Sequence, residues 1–134
     1  VDIALVSIGA NDAKGLHSAT RAVESMTKIV GELREHSPNA VILVSSLPAF
    51  HLFDSLPQPL RWVMSSHAGA IERRARPLVE AESRVIMSPP PRHYPPGFFA
   101  SDGFHPSAEG YGIWAAFALQ DAVGRGVLSH LLDD

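Results

Sequence analysis

Three short apolar runs, separated by longer amphipathic segments, constrain the fold of this chain more than any other feature. The runs comprise residues 3–8, 41–44 and 84–87. They are short and almost without polar alternation, which is typical of strands that are buried on both faces. The sequence therefore predicts strands that lie inside a sheet covered by helices.

The segments between the runs show helical periodicity. Residues 20–36 and 60–82 are predicted to be helices, with a kink or break at Pro77. Pro106 suits the first turn of a last helix, and residues 127–132 either add a helical turn or fray. The predicted apolar faces are Ala22, Val23, Met26, Ile29, Val30 and Leu33; Leu60, Val63, Met64, Ile71, Leu78 and Val79; and Tyr111, Trp114, Ala115, Ala118, Leu119 and Ala122.

This alternation predicts an α/β fold in which a parallel sheet of about three strands is covered on both faces through right-handed crossovers. A length of 134 residues, 46% of them hydrophobic, suits one domain that spans residues 1–134. Residues 9–12, 45–59 and 88–105 all follow strand ends. We expect them to share the rim of the sheet where ligands bind in such folds.

Composition excludes several classes of function. The net charge of −3, without a basic stripe, argues against a nucleic-acid partner. The sequence contains no run of about 18 apolar residues, so it predicts no membrane-spanning helix. The absence of cysteine excludes disulfides and thiolate metal sites, and the histidines lack metal-ligand spacing. No phosphate loop or dinucleotide motif is present, so we expect neither a cofactor nor a metal, and the compartment stays open.

The stretch Ser101-Asp102-Gly103-Phe104-His105-Pro106-Ser107 places an acid and a histidine three residues apart on a turn before a helix. A carboxylate that accepts the Nδ1–H of the imidazole fixes its tautomer and leaves Nε2 to act as a base. By itself this spacing is also typical of a turn residue beside a surface histidine.

A second stretch, Gly9-Ala10-Asn11-Asp12, follows the first predicted strand and is interpreted as a turn. The amide of Asn11 can donate a hydrogen bond to a developing oxyanion, although the same residues also suit a plain turn. Because both stretches fall on one predicted rim, we expect Asn11 and His105 to lie near each other.

Together the two stretches resemble the G-x-N-D and D-x-x-H-P blocks of the SGNH hydrolases, also called GDSL lipases and esterases. The resemblance extends over essentially the whole chain. It implies a flavodoxin-like three-layer α/β/α fold and hydrolysis of a small-molecule ester or other acylated substrate. It also implies that His105 is the catalytic base, that Asp102 orients it, and that Asn11, in the block that begins at Gly9, belongs to the oxyanion hole.

The chain departs from this family in one respect, because it contains no G-D-S block to supply a nucleophile. Ser7, Ser45 and Ser46 lack the glycine-rich turn, and Ser101 is too close to His105. We therefore expect the chain to be the C-terminal portion of the domain and inactive by itself. In that case the strand at residues 3–8 would expose an apolar edge, which predicts self-association.

Several interpretations stay open at the level of sequence. The alternative to the hydrolase is a non-catalytic flavodoxin-like module that binds a small ligand at the same rim. Residues 50–53 suit either a lid over substrate or a loop anchored by its own aromatic rings. Phe98 and Phe99 either line the pocket or pack under the last helix. Residues 72–74 are predicted to form a solvated helix face, and His17 and His93 lie on the predicted rim.

Overall fold

The structure, a computed structural model, describes residues 1–14 and 18–132. Three strands alternate with helices along these residues. In chain order the elements are β1 (Ile3–Val6), α1 (Ala10–Lys14), α2 (Ala19–His36), β2 (Val41–Val44), a 3-10 turn (Phe50–Leu52), α3 (Leu60–Val79), β3 (Val85–Met87), α4 (Ala108–Gly124) and α5 (Ser129–Leu132).

The three strands form one parallel sheet in the order β1-β2-β3. Ile3 pairs with Val41 at one end of the first ladder, and Ile42 pairs with Val85 in the second. Each parallel pair needs a crossover, and α2 and α3 supply the two crossovers. The predicted α/β fold with a parallel sheet is confirmed.

The side chains of the central strand alternate between two hydrophobic layers. Ile42 and Val44 are buried in a cluster with residues of α2 and α3, such as Met26 and Ile71. Val41 and Leu43 are buried on the opposite face, in a cluster that includes Ala122 of α4. Because successive strand residues point to opposite faces, the molecule has helices on both sides of the sheet and hence three layers.

The two edges of the sheet are finished differently. At the β3 edge, Glu80 accepts the N–H of Met87 at 3.0 Å, while Arg76 and Arg125 both donate to the carbonyl oxygen of Met87. Side chains thus satisfy the hydrogen bonds of the backbone N–H and carbonyl oxygen of Met87, at the end of this strand. The β1 edge has no neighbouring strand among residues 1–14 and 18–132.

Several predicted boundaries were wrong. Gly9–Asp12 is not a simple turn, because only Gly9 turns the chain and α1 begins at Ala10. β1 ends at Val6 rather than at residue 8. Pro106 lies before α4 rather than in its first turn, since the N-cap of α4 is Ser107, whose hydroxyl accepts the N–H of Gly110. Pro77 does not divide α3, since the N–H of Glu80 still bonds the carbonyl of Arg76.

The predicted apolar faces were also partly wrong. The buried stripe of α3 is Met64, Ala68, Ile71, Ala75 and Val79. Its two alanines complete the helical spacing, whereas Leu60 and Leu78 are exposed at the ends of the helix. On α4 the buried positions are Gly110, Ala118 and Ala122, and Tyr111 and Leu119 are exposed. The prediction was wrong where it gave large apolar residues to the buried face, because small residues occupy several of the buried positions of these helices.

Candidate active site

The turn at residues 102–105 is built around the carboxylate of Asp102. Oδ1 accepts the backbone N–H groups of Phe104 and His105 at 2.9 and 3.0 Å. Oδ2 lies 2.6 Å from Nδ1 of His105. Gly103 has a φ of 68°, in the left-handed region that side chains disfavour. One carboxylate therefore shapes the turn and also holds the imidazole ring.

The same contacts set the charge and the tautomer of the pair. The hydrogen bond from His105 and the two backbone N–H groups lower the pKa of Asp102 to about 2. The carboxylate is therefore ionised at neutral pH and accepts the proton of Nδ1, which leaves Nε2 able to take up a proton. Among the described residues only Asp102 is hydrogen-bonded to the ring of His105.

Backbone contacts join this turn to the start of α4. The N–H of Ala100 donates to the carbonyl oxygen of His105 at 2.8 Å, and the N–H of Ser107 donates to that of Phe98 at 2.7 Å. Gly110 lets the first turn of α4 approach closely, because a Cβ atom there would collide with the carbonyl oxygen of Phe98. The imidazole is consequently held next to the helix start.

The other half of the site begins at Gly9, where the chain leaves β1. Gly9 has a φ of 98°, and a Cβ atom there would lie 2.6 Å from Cε of Met26 and 3.2 Å from Cδ1 of Leu47. The positive φ favours glycine, and a larger residue would also have to shift the end of Met26 and press on Leu47. Gly9 is buried and lies outside the cavity lining, whereas Asn11, in the first turn of α1, is exposed. Gly9 thus directs the backbone, and Asn11 is the side chain that meets solvent.

A cavity of about 700 Å³ brings the two halves together, since both Asn11 and His105 line it. Asp102, the partner of His105, is not among the lining residues. His93 is in the lining, whereas His17 lies outside the described residues. The remaining lining residues are Ser7, Ala10, Ser46, Leu47, Pro48, Phe53, Pro89, Pro90, Pro91, Arg92, Tyr94, Pro95, Phe98, Phe99, Phe104, Pro106, Tyr111, Ile113, Trp114 and Phe117. The walls are mainly aromatic and proline side chains.

The structure decides between the two interpretations of residues 50–53. Phe50 and Phe53 are almost fully buried, and their rings lie 5.1 Å apart between centroids. These two rings anchor the loop in the core, while Phe53 also reaches the cavity wall. Phe98 and Phe99 both line the cavity, and Phe98 in addition packs beneath the start of α4.

Sequence reasoning missed two supporting residues. Glu72 was predicted to lie on a solvated face, but its carboxylate is partly buried and accepts the N–H of Leu47 at 2.7 Å. Burial raises its pKa, although this hydrogen bond and Arg76 oppose the shift. The hydroxyl of Tyr94 accepts the N–H of Ala49 at 2.8 Å, and burial raises its pKa to about 12. Their partners lie far away in sequence, so no local pattern marked them.

The serines near the cavity have other partners or are enclosed. Ser46 Oγ donates to the carbonyl of Pro89 at 3.2 Å. Ser45 Oγ is buried without a hydrogen-bond partner among the described residues. Neither bonds the imidazole of His105, and Ser7 lines the cavity without such a bond in residues 1–14 and 18–132. No described serine is therefore joined to the candidate base.

Within the described ranges, no group of three or more His, Asp or Glu side chains is arranged to hold a metal ion. In the same part of the chain, none of the helices has the length and apolar character needed to cross a bilayer.

Comparison with known proteins identifies the family of the chain. The model of the GDSL-like Lipase/Acylhydrolase family matches residues 1–113, so the chain belongs to that family. It is also similar to the GDSL-like esterase Rv1075c of Mycobacterium tuberculosis (strain ATCC 25618 / H37Rv), with 30% identity over 131 residues. The alignment covers 91% of this chain but 41% of that relative, so the chain spans about two-fifths of the relative's length.

Proposed function

We propose that this chain supplies the general base and part of the oxyanion hole of a serine ester hydrolase. The observation that carries the proposal is the 2.6 Å contact between His105 Nδ1 and Asp102 Oδ2 beside a cavity that Asn11 also lines. Membership of an acylhydrolase family supports the same reaction class. The substrate is a small-molecule ester or other acylated compound.

In this mechanism His105 Nε2 accepts the proton of a serine hydroxyl as the serine oxygen attacks the ester carbonyl. Asp102 stabilises the imidazolium that forms. His105 then gives the proton to the leaving alcohol, and water repeats the sequence on the acyl-enzyme. The amide of Asn11 donates to the oxyanion of each tetrahedral intermediate. Gly9 contributes by setting the backbone direction from which Asn11 projects.

The serine is proposed to come from outside these 134 residues. The chain contains no G-D-S sequence, and the relative named above is more than twice as long. The chain is then the C-terminal portion of one hydrolase domain. By itself it should lack ester hydrolysis, since the base has no nucleophile to activate.

The test uses the full-length parent protein with p-nitrophenyl acetate as substrate. Replacement of the base, His105→Ala, should lower kcat/KM by about 10²–10⁴-fold, the usual contribution of a general acid–base residue. His93→Ala is the matched control, because His93 lines the same cavity but lies outside the Asp102–His105 pair.

Equal rates for the parent enzyme and its His105→Ala variant would refute the role assigned to His105. A complete parent sequence without a G-D-S block after a strand would instead favour the non-catalytic ligand-binding module. Hydrolysis by residues 1–134 alone, lost in His105→Ala, would place the nucleophile inside the chain and overturn the proposed division.

A further inference from the structure

One segment of the loop between β2 and α3 contacts both halves of the candidate site. This segment, residues 47–55, is called the bridging segment below. At its start, Leu47 packs directly against Gly9, where Cδ1 lies 3.2 Å from the position that a Cβ atom would take. The turn that presents Asn11 therefore rests on the bridging segment.

At its other end, the bridging segment contacts the turn that carries His105. Ser55 Oγ donates a hydrogen bond to the carbonyl oxygen of Gly103 at 2.7 Å. Its Cβ lies 2.9 Å from where a Cβ of residue 103 would be, so this approach requires glycine there. The ring of Phe104 lies 5.6 Å from that of Phe53 and 6.0 Å from that of Phe50, measured between centroids.

The bridging segment is itself held by buried groups. The carboxylate of Glu72 accepts the N–H of Leu47, and the hydroxyl of Tyr94 accepts the N–H of Ala49. Just beyond it, Nε of Arg61 donates to the carbonyl oxygen of Leu56 at 2.8 Å. The segment is thus fixed to α3 and to the loop after β3 before it meets either half of the site.

The turn at residues 102–105 is not held in place by burial of its acidic and imidazole side chains. The side chains of His105 and Asp102 are 64% and 48% exposed. The hydrogen bonds of Asp102 join residues 102–105 to one another, so they do not attach the turn to the rest of the molecule. The contacts of Gly103 and Phe104 with the bridging segment are long-range, so they can hold the turn in place.

We propose that Ser55 is a positioning residue, whose hydrogen bond to Gly103 holds the Asp102–His105 pair at its working distance from the oxyanion side. The inference rests on the proposed function, because it takes His105 as the base. Loss of the hydroxyl frees the carbonyl of Gly103, and the turn then samples conformations in which Nδ1 of His105 is released from Asp102. Phe104 is the second anchor of the same turn.

The experiment uses the full-length parent protein and reads the pair directly, so it does not depend on whether any ester is hydrolysed. Nuclear magnetic resonance of histidine-labelled protein follows the Nδ1 proton of His105 and the nitrogen shifts that report its tautomer. The variants are Ser55→Ala, Ser55→Thr, which keeps the hydroxyl, and Phe104→Leu. Ser66→Ala is the matched control, since Ser66 is exposed on α3.

In Ser55→Ala, exchange of the Nδ1 proton should accelerate about five- to tenfold, which corresponds to one net hydrogen bond of about 1 kcal/mol. Phe104→Leu should act in the same direction. Ser55→Thr and Ser66→Ala should match the natural chain.

Exchange in Ser55→Ala within about twofold of the natural chain, or an equal effect in Ser66→Ala, would overturn the proposal. Exchange in Ser55→Thr as fast as in Ser55→Ala would overturn it as well. Thermal unfolding is measured in parallel, and loss of cooperative unfolding in Ser55→Ala would assign Ser55 a general folding role instead.

Discussion

The carboxylate of Asp102 holds His105 at two points. Its Oδ2 lies 2.6 Å from the ring atom Nδ1, and its Oδ1 accepts the backbone N–H of the same histidine at 3.0 Å. A single acidic side chain therefore fixes both the backbone and the imidazole of its partner. This double contact explains why a short local motif can carry a preformed acid–base pair.

The titration of Asp102 tests this contact. Its pKa is about 2 in the folded chain and 3.8 ordinarily, so the unfolded chain binds more protons between these values. The resulting stability is present above about pH 4 and is lost as the pH falls towards about 2. Carbon resonance of the carboxyl group should give the midpoint, and His105→Ala should move it upward. An unchanged midpoint would mean that His105 is not the main cause.

The space at Gly9 gives a prediction for stability. Gly9→Ala should destabilise the chain by about 1–3 kcal/mol, chiefly because alanine is strained at a φ of 98°, and also because its Cβ atom would crowd Leu47 and shift the flexible end of Met26. Gly31→Ala is the control, since a Cβ atom at Gly31 meets nothing within 4 Å. That change should stabilise α2 by about 0.5–1 kcal/mol. Urea unfolding measures both, and equal effects would contradict the close packing at Gly9.

Glu72 gives a prediction for pH dependence. Burial raises its pKa above 4.5 in the folded chain, so the folded state binds more protons and this group lowers stability as the pH rises through 4.5. Glu72→Gln retains an acceptor for the N–H of Leu47 and removes that dependence. Urea midpoints should therefore shift progressively in favour of the variant as the pH rises through and above 4.5.

The control for Glu72 is Glu32→Gln, which removes an exposed ion pair with Lys28 on α2. Exposed pairs contribute little, so this midpoint should hardly change. A constant difference between Glu72→Gln and the natural chain across the pH range would show that ionisation of Glu72 does not affect folding.

The β1 edge gives a prediction for association. Ile3 and Leu5 are 43% and 52% exposed beside a strand edge that lacks a neighbour among the described residues. Such edges favour pairing with other chains, and a lysine placed on them opposes it. Leu5→Lys should therefore reduce self-association in sedimentation velocity.

Leu78→Lys is the matched control, because Leu78 is 55% exposed but lies on α3. It should leave association unchanged. A natural chain that sediments as a monomer with cooperative unfolding would contradict the expected pairing through β1, and an equal effect of both lysines would assign the association to general surface hydrophobicity.

Much of the fold was predictable because it depends on local patterns. The apolar run at residues 41–44 coincides with β2, and the periodicity of residues 20–36 coincides with α2 to within one residue. The errors have physical causes. Ala68 and Ala75 are too small to mark a buried face, and Glu72 is charged but finds a buried backbone donor. Nothing local distinguishes such residues from solvated ones.

The sequence by itself determined the order of the three strands and the three long helices, and the local pairing of Asp102 with His105, because these depend on residues a few positions apart. Only the tertiary structure decided that Asn11 and His105 share one cavity and that Ser55 contacts Gly103. Those relations depend on how parallel crossovers bring distant loops to one rim. They also depend on close packing at two glycines, because the absence of a side chain leaves room for Ser55 at Gly103 and for the backbone of Phe98 at Gly110.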